Sequence, residues 1–477
     1  MLHDGFFIGN EWRKPATSAR FTIKNASTGE AVGETPEAGR ADVDAAVSAA
    51  RKAFDNGEWC GMPPAQRAQI MRRFAVELRE RSALTANAVS TQNGMPISIS
   101  GAFEGDVAPG LLDHYADLAE QMVLQETRGS QFGKETLVQR NPVGVVAAII
   151  PWNFPVNLTL VKIGPAMAAG CTMVIKPSPG TVLDSYIMAE AALAAGVPPG
   201  VLNWVPADRE VGAYLVEHAG VDKVAFTGST RAGRIIAARC GELLRPVTLE
   251  LGGKSAAIVL EDADLDTFTQ GIPTACLLNN GQTCYLGTRI LAPRARYGEV
   301  VDAVSQFVGS LKVGDALDPD TQVGPVASEE HRDRVERYIE IGKNEARLLT
   351  GGKRPAGRDG GWFVEPTVFA DVDNRATIAR EEIFGPVLSI IPYEDENDAI
   401  RIANDSEFGL GGSVWSADND HALAVAQRVQ SGSVGINGYV ISVGSPFGGI
   451  KSSGMGREFG PEALLSYQQY KSIYVMA

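Results

Sequence analysis

Apolar and polar positions recur with two different periods along the chain, and the change of period divides the sequence into regions. Between about residues 41 and 100, apolar positions recur every three or four residues; in ADVDAAVSAARKAFD this spacing places Val43, Ala46, Val47 and Ala50 on one stripe. Such a stripe predicts an amphipathic helix. A second stretch, PPAQRAQIMRRFAVELRERS, begins with prolines, which the first turn of a helix accepts. The front of the chain is therefore predicted to be helical.

From Pro142 onward, short and continuously apolar runs alternate with helical patterns. The runs GVVAAIIP, CTMVIKPS, VLNWVP and KVAFTGS predict strands, whereas NLTLVKIGPAMAAG, LDSYIMAEAALAAG and EVGAYLVEHAG predict helices. This order indicates a parallel sheet covered by helices, a class of sheet that binds ligands beyond the carboxyl ends of its strands. After Gly252 the alternation resumes and continues to about residue 440, which predicts a second α/β unit.

Two further segments have the alternation of exposed strands. ETRGSQFGKETLVQRNP predicts a hairpin between the helical front and the first buried strand, and YQQYKSIYVMA predicts a strand close to the C-terminus. Unpaired strand edges are liabilities that oligomers commonly use. We therefore expect these two segments to pair across subunits.

Composition is that of an ordinary soluble globular protein with more than one domain. The 477 residues exceed the usual limit for a single core, and 44% are hydrophobic and 21% charged. The net charge of −14 argues against nucleic-acid partners and acidic membrane surfaces. The sequence has neither the pattern of a secretory leader nor an apolar stretch long enough to span a membrane. A cytoplasmic location is therefore expected.

The cysteines and histidines do not have the spacing of a metal site. The five cysteines are an odd number without a C-x-x-C pair, and the five histidines form no H-E-x-x-H pattern. Reduced thiols and no bound metal are expected. The G-x-S-x-G elbow of serine hydrolases is also missing. Cys284 alone stands in unusual surroundings, between the polar and glycine residues of NNGQTCYLG, although a free Cys is more often a small buried hydrophobe.

Two turns after predicted strands have the features of a nucleotide site. The fingerprint G-x-G-x-x-G is absent, but FTGSTRAG places Gly228 and Ser229 between a strand and a helix. Backbone N–H groups at that helix start can hold a pyrophosphate, while an ordinary N-cap is the alternative. In VIKPS, Lys176 stands at the end of another strand, where an adenosine ribose would lie. A solvated charge is the alternative there.

Two other stretches contain candidate catalytic groups. TLELGGKS places Glu250 in an apolar setting, and burial raises the pKa of a carboxyl group toward the range of a general base. A structural ion pair is the alternative. In IIPWNFP, Asn153 is fixed between two aromatic residues and two prolines. An amide held in this way can donate to an oxyanion, which is typically worth on the order of 10²–10³ in rate; an ordinary turn Asn is the alternative.

Taken together and in order, these motifs resemble those of the aldehyde dehydrogenase superfamily. The matching stretches are PWNFP, KPS, FTGST, LELGGKS, NNGQTC, EEIFGPV and SPFGGIKSSGMGRE. The resemblance implies an α/β fold with a Rossmann-type cofactor domain at residues 1–120 and 141–251 and a catalytic domain at residues 252–442. It also implies a small β oligomerisation element at residues 121–140 and 459–477, and a homo-oligomer that is a dimer or a tetramer.

The resemblance further implies oxidation of an aldehyde to the carboxylic acid with NAD(P)+. Cys284 matches the nucleophile that forms a thiohemiacetal and then a thioester, Asn153 the oxyanion donor, and Glu250 the base that activates the hydrolytic water. Lys162 matches a lysine behind the active site. In some relatives this lysine shares a proton relay with a C-terminal Glu, and the matching position here is predicted to be Gln469.

The cofactor positions implied by the resemblance follow the strand ends and the EEIFGPV stretch. They are Ile150, Pro151, Trp152, Lys176, Ser178, Pro179, Gly228, Ser229, Leu251, Glu382 and Phe384. Relatives that prefer NAD often have a Glu where Pro179 stands. Loss of that carboxylate removes an acceptor for the 2′-hydroxyl and a charge that repels a 2′-phosphate. NAD is favoured as the cofactor, with NADP as the alternative.

The predicted aldehyde pocket consists of positions adjacent to the catalytic residues. They are Phe154, Asn157, Leu158, Val161, Thr283, Tyr285 and Ile441. Apart from Lys162, these segments contain neither Arg nor Lys, so an uncharged aliphatic or aromatic aldehyde is expected. A CoA-acylating enzyme and a catalytically idle binding protein on the same fold are the alternatives. Glu250 favours water as the acyl acceptor, and the intact catalytic residues argue against the idle protein.

Overall fold

The computed structural model describes residues 3–476. The expectations for Met1, Leu2 and Ala477, which include the ends of the predicted cofactor and oligomerisation regions, lie outside the described residues. The strands are β1 Phe6–Ile8, β2 Glu11–Arg13, β3 Arg20–Lys24, β4 Ala31–Pro36, β5 Gln125–Gly129, β6 Glu135–Pro142, β7 Val145–Ile149, β8 Thr172–Lys176, β9 Leu202–Trp204, β10 Lys223–Thr227, β11 Val247–Glu250, β12 Ala256–Val259, β13 Arg289–Pro293, β14 Arg347–Thr350, β15 Thr367–Ala370, β16 Val387–Tyr393, β17 Phe408–Gly409, β18 Ser413–Trp415, β19 Gly435–Ile436, β20 Ile450–Lys451, β21 Gly454–Met455 and β22 Gln468–Val475.

The helices fall mainly between these strands. They are α1 Arg40–Asp55, α2 Pro64–Glu80, α3 Ser82–Asn93, α4 Ile97–Ser100, α5 Gly110–Glu120, α6 Pro155–Ala169, α7 Leu183–Ala194, α8 Arg209–Glu217, α9 Thr230–Glu242, α10 Leu265–Ala275, α11 Tyr297–Ser310, α12 Glu329–Glu345, α13 Thr377–Arg380, α14 Glu396–Asn404, α15 Asn419–Ala426 and α16 Gly460–Leu465. A π-helix, Gly101–Val107, lies between α4 and α5, and a short 3-10 helix, Arg294–Arg296, precedes α11. None of the helices within residues 3–476 combines the length and apolarity that crossing a membrane requires.

Two large sheets form the framework and confirm the predicted α/β class. The first has eight strands in the order β2-β1-β9-β8-β7-β10-β11-β21, and its five central strands, β9 to β11, are parallel. The second has seven strands in the order β14-β15-β16-β13-β12-β18-β19, parallel except for the pairing of β14 with β15. The predicted stripe of α1 (Val43, Ala46, Val47 and Ala50) is buried against the first sheet.

The strand order of the first sheet explains where a ligand can bind. The chain proceeds outward from β7 in one direction through β8 and β9, and in the other direction through β10 and β11. The crevice at such a reversal, beyond the carboxyl ends of the strands, is the binding position of open parallel sheets. The loops that follow β7, β8, β10 and β11 all leave this edge. They contain the predicted residues from Ile150 to Asn153, Lys176 to Pro179, Gly228 and Ser229, and Leu251.

The two segments predicted as exposed strands form one sheet within the chain. The predicted hairpin is β5 and β6, and the predicted C-terminal strand is β22, which pairs antiparallel with β6 from Gln468 opposite Pro142 to Val475 opposite Glu135. The order β22-β6-β5 leaves β5 and β22 as the two edges. The two segments therefore pair with each other inside one subunit, because the C-terminal strand returns alongside β6.

Candidate active site

The thiol of Cys284 is held by a turn that the apolar pattern does not predict. α10 ends at Ala275, and Asn279, Asn280 and Gly281 follow with φ of 51°, 60° and 77°. A Cβ at Gly281 would lie 2.2 Å from the carbonyl oxygen of Gly385, so only glycine fits this left-handed position. The turn delivers Cys284, half-buried and free of any disulfide, to the crevice beside the first sheet.

The surroundings of Cys284 favour the neutral thiol. Burial raises the pKa of the Cys284 thiol well above its ordinary value, and the carboxyl groups of Glu382 and Glu250 raise it further. A thiolate is the nucleophilic form of cysteine. A base must therefore remove the proton for Cys284 to act as a nucleophile.

The amide of Asn153 is oriented toward the Cys284 turn. Its Nδ2 donates to the carbonyl oxygen of Gln282 over 3.0 Å, and Asn153 is 5% exposed. The Asn153 carbonyl oxygen accepts in turn from the side-chain amides of Asn279, at 2.9 Å, and Asn93, at 3.2 Å. A side-chain amide has two N–H donors. Gln282 takes one, and the second has no partner among residues 3–476.

Glu250, the last residue of β11, is a buried carboxyl group without hydrogen-bond partners. The residue is 3% exposed, and neither carboxyl oxygen has a partner in the described part of the chain. A Cβ at Gly448 would lie 2.6 Å from Oε1 and 2.9 Å from the carbonyl oxygen of Gly456, so a side chain at this position would displace the carboxyl group or the backbone. Burial raises the pKa of Glu250 well above its usual range, and the nearby charge of Glu458 adds to the increase, while Lys162 opposes it. Such a group is suited to accept a proton near neutral pH.

Lys162 pairs with Glu458, a residue that sequence reasoning did not assign. Its Nζ lies 2.5 Å from Glu458 Oε1 and 2.7 Å from Thr227 Oγ1, with Lys162 fully buried. The prediction that Gln469 stands at the relay position is wrong. Gln469 lies on β22 opposite Asn141 and is exposed, because β22 runs along β6, away from this site. Glu458 is instead positioned by backbone pairing with Phe447.

One cavity brings most of the predicted cofactor positions together with two of the catalytic candidates, Asn153 and Cys284, whereas Glu250 and Lys162 are not part of its lining. Its lining consists of Pro151, Trp152, Asn153, Leu158, Thr227, Gly228, Ser229, Leu251, Gly252, Cys284, His331, Arg334, Glu382 and Phe384. Four predicted cofactor positions, Ile150, Lys176, Ser178 and Pro179, are not part of this lining. Ile150 is buried at the end of β7, and the other three lie at the end of β8. Four lining residues, Thr227, Gly252, His331 and Arg334, had no assignment from the sequence.

Backbone groups hold one carboxyl group that lines this cavity, Glu382, and one amine at the end of β8, Lys176. Glu382 Oε1 accepts from Gly253 N at 2.9 Å, and a Cβ at Gly252 would lie 2.3 Å from Oε2. Burial raises the pKa of Glu382 to about 7. Lys176 Nζ donates to the carbonyl oxygens of Ala207, at 2.7 Å, and Pro177, at 3.1 Å. Burial lowers the pKa of Lys176 to about 8.

Aromatic rings form one wall of the same cavity. The ring of Trp152 meets those of His331 and Phe384 edge-on, with centroids 5.1 and 5.4 Å away. Phe384 has a φ of 65°, and its carbonyl oxygen lies 2.6 Å from His331 Nε2. Burial lowers the pKa of His331 to about 4, so this ring is neutral at physiological pH. His331 lies near the start of α12, far along the chain from the strand ends, and the sequence contains no motif that marks it.

The seven predicted aldehyde-pocket residues lie on α6, its N-terminal turn, the Cys284 turn and the loop before β20. Phe154, Val161, Thr283 and Tyr285 are buried, whereas Asn157, Leu158 and Ile441 are partly exposed. The Thr283 hydroxyl donates to the carbonyl oxygen of Leu278 at 3.0 Å, so it stabilises the turn that holds Cys284. Tyr285 stacks on Tyr439, with ring centroids 4.3 Å apart, and meets Phe447 edge-on at 6.4 Å. Tyr439 and Phe447 were not predicted.

Comparisons with known proteins agree with this geometry. A profile of the "Aldehyde dehydrogenase family" matches residues 12–473. The chain is 60% identical to a geranial dehydrogenase of Castellaniella defragrans over 474 residues, and the aligned region covers 99% of each chain. Its structure is similar to an aldehyde dehydrogenase of Mycobacterium tuberculosis complexed with NAD+ (TM-score 0.97, 47% identity, 100% and 98% of the two chains covered). It is also similar to a variant of aldehyde dehydrogenase C of Pseudomonas syringae complexed with NAD+ and octanal (TM-score 0.95, 38% identity, 99% and 97% covered).

Proposed function

The chain belongs to the aldehyde dehydrogenase family and is an NAD(P)-dependent enzyme that oxidises an aldehyde to the carboxylic acid, and we propose that Cys284, Asn153 and Glu250 perform this reaction. The observation that carries the assignment is that Cys284 and Asn153 line the same cavity as seven of the predicted cofactor positions. Glu250 stands close enough to raise the pKa of the Cys284 thiol.

The first half of the reaction forms a covalent bond to Cys284. Glu250 accepts the thiol proton, and the sulfur attacks the aldehyde carbon to form a thiohemiacetal. The carbonyl oxygen becomes an oxyanion, which receives the free N–H of the Asn153 amide and the backbone N–H of Cys284. A nicotinamide cofactor held in this cavity would supply the acceptor for the hydride of this carbon. The C–S bond remains, and Cys284 carries a thioester.

The second half releases the acid. Once Glu250 has passed on the thiol proton, its carboxylate accepts a proton from water, whose oxygen attacks the thioester carbon. Collapse of the resulting oxyanion breaks the C–S bond and frees the carboxylic acid, and the departing Cys284 thiolate recovers its proton from Glu250. Glu458 and Lys162 form an ion pair with a 2.5 Å separation, close enough to Glu250 for both charges to shift its pKa. We infer that this pair sets the charge state of Glu250 and receives its proton. The CoA-acylating alternative is disfavoured by the presence of a buried base beside the thioester.

The hydrogen-bond donors and acceptors of this cavity and of the adjacent end of β8 suit a nicotinamide dinucleotide. α9 begins directly after Ser229, whose hydroxyl caps Ala232 N at 3.3 Å, so the helix start faces the cavity with a positive dipole end suited to a pyrophosphate. Lys176 has an N–H left for a ribose hydroxyl, and Glu382 offers a carboxylate to the second ribose. Pro151, Trp152, Leu251 and Phe384 supply the apolar walls. NAD is proposed as the preferred cofactor.

The aldehyde is proposed to be uncharged, apolar and of medium length. Leu158, Val161 and Ile441 provide an apolar surface, and the one lysine of the segment, Lys162, is bound to Glu458 and Thr227. Arg334 lines the cavity beside Glu382 and donates to the carbonyl oxygen of Glu382 at 2.6 Å. A carboxylate-bearing aldehyde therefore has no cationic partner among these residues. Geranial, the substrate named for the relative that is 60% identical, meets this description.

A homo-oligomer, dimeric or tetrameric, is proposed from the sheet β22-β6-β5. Its two outer strands have free edges in the described chain, and three apolar side chains nearby are largely exposed: Phe132 at 89%, Tyr474 at 72% and Met476 at 67%. Exposed strand edges and apolar rings are the features that a second copy would cover. The five cysteines are all unpaired, which supports a reducing compartment and hence the cytoplasm.

A panel of aldehydes tests these assignments. The protein is mixed with NAD+ or NADP+ and with geranial, octanal, benzaldehyde or a carboxylate-bearing semialdehyde, and absorbance of the reduced cofactor is followed. We expect turnover with the first three and at least about tenfold lower kcat/KM with the semialdehyde. Faster reaction with the semialdehyde would refute the proposed pocket. Acyl-CoA formation on adding CoA would replace the hydrolytic assignment, and cofactor binding without any turnover would favour the idle protein.

A further inference from the structure

Helix α6 lacks a capping side chain of its own at the end that enters the active site. Phe154 occupies the N-cap position and makes no side-chain hydrogen bond to the helix, and Pro155 follows as the first helical residue. The N–H groups of a first helical turn have no partner within the helix. Those of Val156 and Asn157 are buried or half-buried here, so another segment must satisfy them.

Glu104 supplies this missing cap from the π-helix Gly101–Val107. Its Oε2 accepts from Val156 N at 2.7 Å and from Asn157 N at 3.4 Å, and Oε1 also lies 3.4 Å from Asn157 N. Glu104 is completely buried. A carboxylate at a helix N-terminus also complements the positive end of the helix dipole. Burial raises the pKa of Glu104 to about 8, and Oε2 remains an acceptor in either protonation state.

The π-helix places Glu104 in this position. A π-turn contains an extra residue relative to an α-turn and occurs often at functional sites. Phe103, the preceding residue, meets the ring of Phe154 edge-on with centroids 6.3 Å apart. The next charged residue, Asp106, points instead toward solvent and accepts from Ser82 Oγ at 2.7 Å. One face of the π-helix therefore contacts the start of α6 through two successive side chains.

The first turn of α6 is directly connected to the oxyanion donor. Asn153 precedes the N-cap residue Phe154, and its carbonyl oxygen is held by the amides of Asn93 and Asn279. Movement of the Val156 and Asn157 backbone would rotate Asn153 and change where its free N–H points. Within residues 3–476, Glu104 is the one side chain that accepts from the first-turn N–H groups of α6.

We propose that Glu104 is a positioning residue that fixes the first turn of α6 and thereby aligns the Asn153 amide with the developing oxyanion. This inference rests on the proposed role of Asn153. Glu104 touches neither the thiol nor the aldehyde and acts only through the backbone of Val156 and Asn157.

The test uses two substitutions of Glu104 and one matched control. Glu104→Met has a similar length without an acceptor and is expected to lower kcat/KM for the aldehyde by about 10- to 100-fold. This loss is smaller than the roughly 10²–10³-fold loss typical of removing an oxyanion donor, because the Asn153 amide remains but is misaligned. Glu104→Gln retains an acceptor oxygen and is expected to lose less than about threefold. Asp106→Asn, on the exposed face of the same π-helix, should leave kcat/KM unchanged. If Glu104→Met does not fold, Glu104→Asp, whose carboxylate is one methylene shorter, is measured in its place.

A double-mutant cycle with Asn153→Ala separates positioning from general stability. If Glu104 acts through Asn153, adding Glu104→Met to Asn153→Ala should cost less than about threefold more in kcat/KM. Fully multiplicative losses, or equal losses for Glu104→Gln and Glu104→Met, would overturn the inference. If Asn153→Ala alone retained full activity, the oxyanion assignment itself would fail, which is a distinguishable result. Affinity for NAD+, measured by calorimetry, should not change in any of these variants.

Discussion

Replacing Glu458 with Gln should move the pH dependence of hydrolysis toward acid. The substitution removes a negative charge beside Glu250 and leaves the buried ammonium of Lys162 without its ionic partner. Both changes favour the charged form of Glu250, so its pKa must fall. The base form would then persist at lower pH, and the acidic limb of the turnover profile would shift in the same direction.

The size of the shift follows from the burial of the three groups. Glu250, Glu458 and Lys162 are 3%, 5% and 0% exposed. Two unit charges 4 Å apart interact by about 4 kcal/mol at an effective dielectric constant near 20, and one pKa unit corresponds to about 1.4 kcal/mol. Even a third of that interaction displaces the pKa of Glu250 by about one unit. The same substitution should lower the free energy of unfolding by up to about 3 kcal/mol, because a buried charge loses its partner.

The assay is steady-state cofactor reduction at saturating aldehyde across a pH series. Glu462→Gln is the matched control, since Glu462 is an exposed carboxylate on α16, four residues after Glu458. We expect the acidic limb to move by at least about one pH unit in Glu458→Gln and to stay in place in Glu462→Gln. An unchanged limb, or a shift to higher pH, would refute the proposed coupling of Glu458 to Glu250.

Three further predictions concern the base, the cofactor and the assembly. Glu250→Gln should lower steady-state turnover by about 10²–10⁴-fold and also slow the burst of reduced cofactor seen on rapid mixing, because both halves of the reaction use this base; a burst of unchanged rate would confine Glu250 to hydrolysis. Pro179→Glu should raise the ratio of kcat/KM for NAD+ to that for NADP+ by at least about tenfold, and an unchanged ratio would contradict the charge-repulsion argument. Tyr474→Glu should yield smaller species in analytical ultracentrifugation, while Leu423→Glu, on the exposed face of α15, should not; unaltered mass in Tyr474→Glu would contradict the proposed interface.

The parts of the site that follow buried strands could be predicted from the sequence. Asn153, Lys176, Ser229 and Leu251 each stand one to four residues beyond an apolar run, and parallel strands deliver such residues to one edge. Cys284 required the resemblance to a known family, because a single thiol after a helical pattern has no periodicity of its own. Its left-handed turn at Asn279 and Asn280 became evident only from the backbone angles.

Glu458 and Glu104 could not be identified in this way. Glu458 lies 296 positions from Lys162, and its strand partner is the loop residue Phe447, so neither helical nor strand periodicity connects the ion pair. Glu104 lies in a π-helix, whose extra residue shifts the face on which each side chain points. A Glu in a helical pattern with period 3.6 is normally solvated. The register of β22 on β6 decides where Gln469 lies, and the sequence of β22 alone does not contain that register.

The charges of the site explain how one carboxyl group can serve both halves of the reaction. Glu250 raises the pKa of the Cys284 thiol, and by reciprocity a thiolate raises the pKa of Glu250. The pair therefore accommodates one negative charge better than two, so moving the proton from sulfur to carboxylate transfers a charge without adding one. Once Cys284 carries a neutral thioester, that repulsion is gone and the pKa of Glu250 falls. The base is then regenerated at the stage when water must be activated, provided that the Glu458–Lys162 pair accepts the displaced proton.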